Sequence, residues 1–227
     1  MTLAHQFLFG IYPYIAGAIF LLGSLVRFDR EQYSWKSDSS QLLRRGQLRL
    51  GNTLFHKGIL LLFLGHLVGL LTPSHVYHAL GLTAGGKQLL AMTAGGVFGA
   101  MCFVGLSILI HRRLTEPRIR AVTSRMDVLL LFWILVTLAL GLATIVTSAG
   151  HPDGGVMVAL SHWAQHIVTF RGDAATFIVD TPLIYRIHLF FGLTLFVLFP
   201  FSRLVHVWSG FASFAYLTRA YQVVRRR

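Results

Sequence analysis

Four histidines in this sequence fall in or beside apolar stretches of membrane length. His56 and His66 lie ten residues apart in LFHKGILLLFLGHLVGLLTP, residues 54–73, and His188 and His206 lie within RIHLFFGLTLFVLFPFSRLVHVW. An imidazole in lipid is costly unless its ring nitrogens have partners. A haem iron bound by two neutral imidazoles would supply such a partner. These four residues are therefore candidate axial ligands.

A single buried histidine could instead donate a hydrogen bond to a backbone carbonyl or belong to a proton relay. A relay or an ion carrier needs carboxylates in the membrane, and Asp127 is the only acidic residue expected within a helix. Four histidines without such carboxylates favour ligation. His162 and His166 have the i, i+4 spacing of a metal pair, but no third ligand is evident. The histidines predicted to lie at helix ends or in loops, where water satisfies them, are His5, His75, His78, His111, His151, His162 and His166.

The composition indicates the elements that must position these histidines. Of the 227 residues, 55% are hydrophobic and 12% are charged, whereas soluble domains carry about 25% charged residues. Five apolar stretches approach the roughly 20 residues needed to cross a bilayer, and backbone groups in lipid require helices. The sequence predicts one domain, residues 1–227, folded as an all-α integral membrane bundle. The five predicted transmembrane helices are about 8–26, 53–72, 89–110, 127–148 and 183–202.

The lysines and arginines predict the orientation of this bundle. Most of them lie in the connections 27–52 and 111–126 and from residue 203 onward, whereas the second connection has only Lys87 and the fourth only Arg171. Basic loops stay in the cytoplasm, so we expect the N-terminus outside and a cytoplasmic tail at about 207–227. The net charge of +12 then indicates anionic phospholipid and an acidic protein partner, with no nucleic acid. Residues 154–168 are predicted to form an amphipathic helix on the outer surface.

This orientation sorts the four histidines into two pairs. Helices two and five run in opposite directions, so His56 and His206 lie near the inner face and His66 and His188 near the outer face. We call these pair 56/206 and pair 66/188, and each suits one b-type haem. On ideal helices the ligands of helix two are about 15 Å apart and those of helix five about 27 Å apart. A kink at Pro200 and different tilts would absorb part of this mismatch of about 12 Å.

Glycines and arginines near these histidines have two interpretations each. Glycines on helices two and five would let a flat macrocycle approach the backbone, or would permit close helix packing. Arginine forks suit haem propionates, or they set topology against lipid phosphates. The glycines concerned are Gly58, Gly65, Gly69 and Gly192, and the arginines are Arg112, Arg113 and Arg203.

Several stretches together resemble the gamma subunit family of bacterial respiratory nitrate reductase. They are FGIYPYIAGAIFLLGS, NTLFHKGIL with FLGHLVGLLTP, RRLTEPRIRA, RIHLFFGLTLFVLFPFSRLVHVW and YLTRAYQVVRRR. The resemblance implies five helices and two bis-histidine haems b in the bacterial inner membrane. It also implies oxidation of quinol near the outer haem, with electrons passing inward to an iron–sulfur beta subunit. That subunit feeds a molybdenum-containing alpha subunit, which reduces nitrate in the cytoplasm.

The same resemblance implies a quinol site around Lys87. Lys87 matches the family's lysine near that site, although its segment HALGLTAGGKQLL departs from the family's more acidic and bulky stretch. His66 would offer its second ring nitrogen and Gly65 would leave room for the quinol ring; a snorkelling lysine is the alternative for Lys87.

The inner surface, residues 27–52, 111–126 and the tail from 207, would bind the soluble subunits. The alternative functions are a haem-binding subunit of a heterodisulfide- or sulfite-reductase complex and a haem-free transport protein.

Overall fold

The computed structural model describes residues 1–31 and 45–208, and every regular element in those ranges is helical. The predicted all-α class is thereby confirmed. Residues 32–44 of the first connection and 209–227 of the predicted tail lie outside the described ranges. The α-helices, in chain order, are α1 Leu3–Gln6, α2 Tyr12–Glu31, α3 Arg45–Leu71, α4 Ser74–Ala79, α5 Ala84–Thr115, α6 Pro117–Ala121, α7 Arg125–Ala149, α8 Gly155–Val168 and α9 Leu183–Leu198.

Four helical stretches within the described ranges are long and apolar enough to cross a membrane. They cover the first four predicted spans to within one residue and are Leu3–Glu31, Gly46–Leu71, Ala84–Thr115 and Arg125–Ala149. The first of them includes a π-helical turn, Phe7–Ile11, between α1 and α2. The fifth predicted span, 183–202, was too long, because α9 ends at Leu198. Pro200 explains this end, since it has no N–H and its ring clashes with the preceding helical turn.

Small residues hold α3 against α5. A Cβ added at Gly58 would lie 2.7 Å from the backbone nitrogen of Cys102, and one added at Gly51 would lie 3.2 Å from the carbonyl oxygen of Gly105. Such side chains allow two backbones to approach closely in a membrane. Helix α5 also packs on α7 through a buried cluster of Cys102, Leu106, Ile110, Leu130, Ile134 and Leu138.

A second buried cluster joins the start of the chain to α8. The predicted helix at 154–168 is confirmed as Gly155–Val168, and it turns Trp163 into this cluster. The Trp163 indole donates to the carbonyl oxygen of Phe9 at 2.9 Å. Pro13 cannot donate to that carbonyl, because proline lacks an N–H, so the indole supplies the missing donor. The cluster consists of Phe9, Trp163, Ala164, Ala174, Ala175 and Ile178.

His5 is buried in this region, contrary to the prediction that water would satisfy it. Its side chain is 8% exposed, and its Nε2 lies 2.9 Å from the carbonyl oxygen of Ala175. The prediction failed because His5 stands near the chain start, where sequence alone indicates exposure. The 3-10 turn Ala174–Ile178, 170 residues away, covers it instead.

Candidate haem sites

The structure brings the four candidate ligands together in the two predicted pairs. The ring centroids of His56 and His206 are 6.2 Å apart, with the ring planes at 70°. The centroids of His66 and His188 are also 6.2 Å apart, with the planes at 42°. A metal–imidazole bond is about 2 Å long and the nitrogen lies roughly 1 Å from the ring centre, so two opposed imidazoles on one metal have centroids about 6 Å apart. Both separations fit one iron between the rings.

The Nδ1 atom of every one of these rings lies against a backbone carbonyl oxygen. On α3, Nδ1 of His56 is 2.9 Å from Asn52 O, and Nδ1 of His66 is 2.7 Å from Leu62 O. On the later segment, Nδ1 of His188 is 3.0 Å from Thr137 O, and Nδ1 of His206 is 2.6 Å from Arg203 O. A carbonyl can only accept, so each Nδ1 carries the hydrogen and Nε2 is left as the unprotonated nitrogen. Histidines that bind metals are oriented by this kind of hydrogen bond. All four rings are thus in the tautomer that a ligand needs.

The two ligands on α3 and the two on the later segment are supported differently. His56 and His66 each donate to the residue four positions earlier in their own helix. His188 donates across to α7, where a Cβ added at Gly141 would lie 2.9 Å from its Cε1 atom. The indole of Trp133, also on α7, donates to Phe191 O at 3.0 Å and ties α9 to the same helix. Helix α7 therefore fixes the position of His188.

His206 does not lie on the same helix as His188, which corrects the prediction for helix five. After α9 ends at Leu198, the chain turns through residues 199–202 and the 3-10 turn Arg203–Val205 before reaching His206. The predicted mismatch of about 12 Å assumed an unbroken helix rising about 1.5 Å per residue. Because the seven residues before His206, 199–205, are not in α9, both pairs reach the same separation of 6.2 Å.

Two of the arginines predicted to meet haem propionates contact Asp127. Arg203 donates from Nε to Oδ1 at 2.6 Å and from Nη2 to Oδ2 at 2.8 Å, and Arg113 Nη1 lies 3.4 Å from Oδ2. These bonds leave Nη1 of Arg203 available for a further acceptor. The third arginine, Arg112, is 3% exposed near the end of α5. Asp127 itself is 8% exposed, so the acid that the sequence placed at a helix start is a buried ion-pair partner.

The glycines divide between their two interpretations. Gly58 contacts Cys102 of α5, so it serves helix packing. A Cβ built at Gly65, Gly69 or Gly192 would have no atom of the described residues within 4 Å. Those three positions, on the two segments that carry the histidines, leave room for a flat group to approach the backbone.

Lys87 is buried rather than snorkelling. It is 8% exposed, its Nζ lies 3.3 Å from Ser161 Oγ, and it stands 4.3 Å above the centre of the Tyr77 ring. Ser161 in turn donates to Gly69 O at 3.3 Å, one helical turn beyond His66 on α3. An ammonium group held this way can hydrogen-bond a neutral or developing anionic oxygen. Nδ1 of His66, by contrast, is engaged with Leu62 O, so the second nitrogen expected to face quinol already has an acceptor.

Sequence reasoning missed the residues that position the ligands and one buried cation. Thr137 and Gly141 support His188 from another helix, and no local pattern links them to it. Arg186, two residues before His188, has a buried Nε with no hydrogen-bond partner among the described residues. No group of three or more His, Cys, Asp or Glu side chains suited to a metal ion occurs in the described ranges, His162 and His166 included. A haem iron takes only two ligands from the protein, so pairs are the relevant pattern.

Comparisons with known proteins cover almost the whole chain. The family model for the nitrate reductase gamma subunit matches residues 5–227. The respiratory nitrate reductase 1 gamma chain of Escherichia coli (strain K12) is 49% identical over 227 residues, which is 100% of both chains. The respiratory nitrate reductase 2 gamma chain of the same organism is 47% identical over 98% of this chain and 97% of its own length. The nitrate reductase gamma chain of Bacillus subtilis (strain 168) is 37% identical over 99% of this chain and 100% of its own length.

Proposed function

The chain belongs to the nitrate reductase gamma subunit family, and we propose that it is the quinol-oxidising cytochrome b of a respiratory nitrate reductase. In this proposal it binds two haems b, takes electrons from quinol on the outer side of the membrane and delivers them to an iron–sulfur beta subunit. A molybdenum-containing alpha subunit completes the complex and reduces nitrate in the cytoplasm. This chain does not reduce nitrate alone.

The geometry of the two histidine pairs carries the proposal. Pair 56/206 and pair 66/188 have the same centroid separation, 6.2 Å, and all four rings point Nδ1 at a carbonyl oxygen. Haem, when bound, supplies reversible one-electron chemistry that no side chain here can supply. The four histidines would hold its iron, and the glycines with no atom of the described residues within 4 Å of an added Cβ would leave room for its ring.

We propose five membrane spans, with α9 as the fifth. Its 16 residues span about 24 Å, which is short of a full crossing, and the turn after Leu198 continues it toward the inner side. The N-terminus then lies outside and the C-terminus in the cytoplasm, as the basic connections indicate. A bacterial inner membrane is the location that this arrangement and the family suit.

The soluble subunits would dock on the inner surface formed by residues 27–52 and 111–126 and by the tail from 207. This surface holds most of the basic residues and lies nearest to pair 56/206 in the proposed orientation. Anionic phospholipid would meet the same charges around its edge. The tail lies largely outside the described residues, so the support for its role is its charge.

We propose that quinol binds beside pair 66/188, with Lys87, Gly65 and His66 in its site. Lys87 is a buried cation that Ser161 links to α3, and Gly65 leaves room against the backbone. The ammonium would stabilise the negative charge that develops as quinol loses its proton. To donate from Nδ1 to a quinol oxygen, His66 would have to give up its hydrogen bond to Leu62 O; otherwise its ring would contact quinol only through its edge. Protons released outside while electrons move inward would conserve energy without a proton channel.

Three arginines are proposed to meet haem carboxylates. Arg112 lies toward the inner end of α5, and Arg203 lies in the segment after α9. Arg203 uses Nε and Nη2 to bind Asp127, so its Nη1 could donate to a propionate at the same time. Arg186 would serve pair 66/188, because its Nε is buried and a haem carboxylate would be an acceptor for it. Arginine forks suit such carboxylates in geometry as well as in charge.

Two measurements test the proposed function. A pyridine haemochrome assay of the purified chain should give two haems b, and one or none would contradict the ligand assignment. Proteins that copurify with the chain should include an iron–sulfur subunit and a molybdenum-containing subunit. Recovery of a heterodisulfide- or sulfite-reductase subunit in their place would assign the chain to a related quinone-linked complex.

A further inference from the structure

Asp127 is a buried carboxylate with more hydrogen-bond partners than a helix cap requires. It is the third residue of α7, and it forms a capping box with Ser124, whose backbone N–H donates to Oδ2 at 3.3 Å while its hydroxyl accepts from Asp127 N at 3.1 Å. A cap of this kind needs no arginine. The carboxylate nevertheless has Arg203 on both oxygens, at 2.6 and 2.8 Å, in a side-on bidentate pair.

This ion pair connects two elements that are far apart in the chain. Asp127 begins α7, whereas Arg203 lies 76 residues later in the turn that follows α9. The Asp127 side chain is 11% exposed and that of Arg203 23% exposed, so water screens the pair only in part. Removal of one partner from such a pair leaves a buried charge without compensation. The turn at Arg203 is therefore anchored to α7.

Arg203 also determines the orientation of the His206 ring. Its carbonyl oxygen accepts the hydrogen of His206 Nδ1 at 2.6 Å, and its guanidinium is the group that Asp127 holds. Helix α9 has ended before this point, so continuous helical hydrogen bonds do not fix the segment. Arg27 of α2 supports the same turn by donating to Pro200 O at 2.7 Å and Ser202 O at 2.9 Å.

We propose that Asp127 is a positioning residue for the haem held by pair 56/206. By holding the Arg203 side chain, it fixes the carbonyl that keeps the His206 ring turned toward His56. This inference rests on the proposed function, since it concerns a haem at that pair. It does not extend to pair 66/188, whose ligand His188 is oriented by Thr137 O of α7.

The test uses the full chain in its membrane complex, with Asp127→Asn as the variant. Variants at His206 and His188 first assign the low-spin electron paramagnetic resonance signal of each haem. In Asp127→Asn we expect haem affinity at pair 56/206 to fall by about 10-fold or more, as is typical when a residue that orients a ligand is changed. The signal of the haem at pair 56/206 should shift or broaden, and its midpoint potential should change. The haem at pair 66/188 should keep its wild-type signal and potential.

Matched variants separate the ion pair from the cap. Ser124→Ala removes the capping hydroxyl and leaves Arg203 paired, so both haems should match the wild type. Asp127→Glu should restore much of the lost signal. If Asp127→Asn fails to accumulate, Asp127→Gln removes the same charge while its amide can keep the capping box, and it should give the same selective change.

The outcomes distinguish this inference from the proposed function. Unchanged content, signal and potential of the 56/206 haem in Asp127→Asn or Asp127→Gln would overturn the inference and leave the proposed function standing. Equal effects on both haems, or the same loss in Ser124→Ala, would also overturn it. A wild-type chain without haem would overturn both.

Discussion

The two histidine pairs have the same separation but are held by different means. At pair 66/188, the later ligand sits within the regular helix α9, and a second membrane helix both accepts its Nδ1 hydrogen and packs against its ring. At pair 56/206, the later ligand follows a helix end, and its Nδ1 hydrogen goes to Arg203 in its own turn. An ion pair, in addition to the packing of Leu204 against the cluster shared by α5 and α7, then ties that turn to α7.

This contrast matches the environment that each pair has in the proposed orientation. Apolar packing suits a site surrounded by helices, where buried charges are costly. An ion pair suits a site at the end of the helices, where basic connections already bring arginines and partial exposure lowers the cost of burying them. The protein thus obtains two histidine pairs of the same separation, one with an ion pair among its supports and one without, and each should respond to a different perturbation.

Removal of a ligand should produce the largest difference between the pairs. We expect His206→Ala to lose the haem of pair 56/206 and keep that of pair 66/188, and His188→Ala to do the reverse. Each pair has its own two imidazoles, so neither loss should spread. Pyridine haemochrome analysis should fall from two haems to about one in each variant. Loss of both haems in both variants would mean that the pairs are not independent.

Lys87→Ala should separate the pairs by their access to quinol. The buried Lys87 ammonium lies on the side of pair 66/188 and is linked to α3 through Ser161. In the proposed function quinol binds at this pair and not at pair 56/206. We expect both haems to be retained while quinol-driven haem reduction slows about 100-fold or more, in the range that removal of one stabilising donor produces. Dyes that bypass the site should still drive the partner subunits. Lys57→Ala, at an exposed lysine, is the control. Wild-type quinol kinetics in Lys87→Ala would move the site elsewhere.

Gly141→Ala should disturb only the pair that depends on packing. The added Cβ would lie 2.9 Å from His188 Cε1, so the ring or α7 must shift, at a cost of about 1–3 kcal/mol. We expect a displaced signal from the haem at pair 66/188 and an unchanged one at pair 56/206. Gly95→Ala, where no atom of the described residues lies within 4 Å of the new Cβ, is the matched control. A change at pair 56/206 alone would contradict the assignment of α7 to His188.

The smallest effect is expected at Asp173, which belongs to neither pair. His166 Nδ1 lies 2.7 Å from its Oδ1, and this hydrogen bond is the main cause that holds the pKa of Asp173 below its usual value of 3.8. A carboxyl with a lowered folded-state pKa stabilises the fold above its ordinary pKa, and that contribution is lost as pH falls through the folded value. Asp173→Asn should slightly flatten the loss of thermal stability in acid and leave both haem spectra unchanged. Altered haem spectra in this variant would show that the α8 region communicates with the pairs.

The membrane helices could be predicted from the sequence because their signal is local. A run of apolar residues of sufficient length must be helical in lipid, and four such runs match described helices. The end of α9 was harder to predict from the sequence, although Pro200 indicated that the helix would kink or end near that position. A proline can kink a helix or end it, and the surrounding structure decides between these outcomes. His5 was misplaced for a similar reason, since the segment that buries it lies 170 residues away.

The pairing of the four histidines could be predicted from the sequence, but the groups that support them could not. Pairing required only the depth of each histidine along helices of opposite direction. The partners of Asp127 and His188 depend on contacts across 76 and 51 residues, for which the sequence has no spacing rule. Gly58 and Gly65 look alike in sequence, and only their neighbours show that one packs on Cys102 while the other leaves room.

Helix α3 contributes one ligand to each pair, and this has a consequence for the tolerated chain length. The interval from His56 to His66 is ten residues of unbroken helix. One inserted residue there would lengthen the interval by about 1.5 Å and turn one imidazole by roughly 100° away from its partner. The interval from His188 to His206 includes the turn at 199–202, in which Phe201 is exposed, so an inserted residue there would not turn His206 through a continuous helix. Related chains should therefore keep the first interval fixed and vary in length, where they vary, in the second.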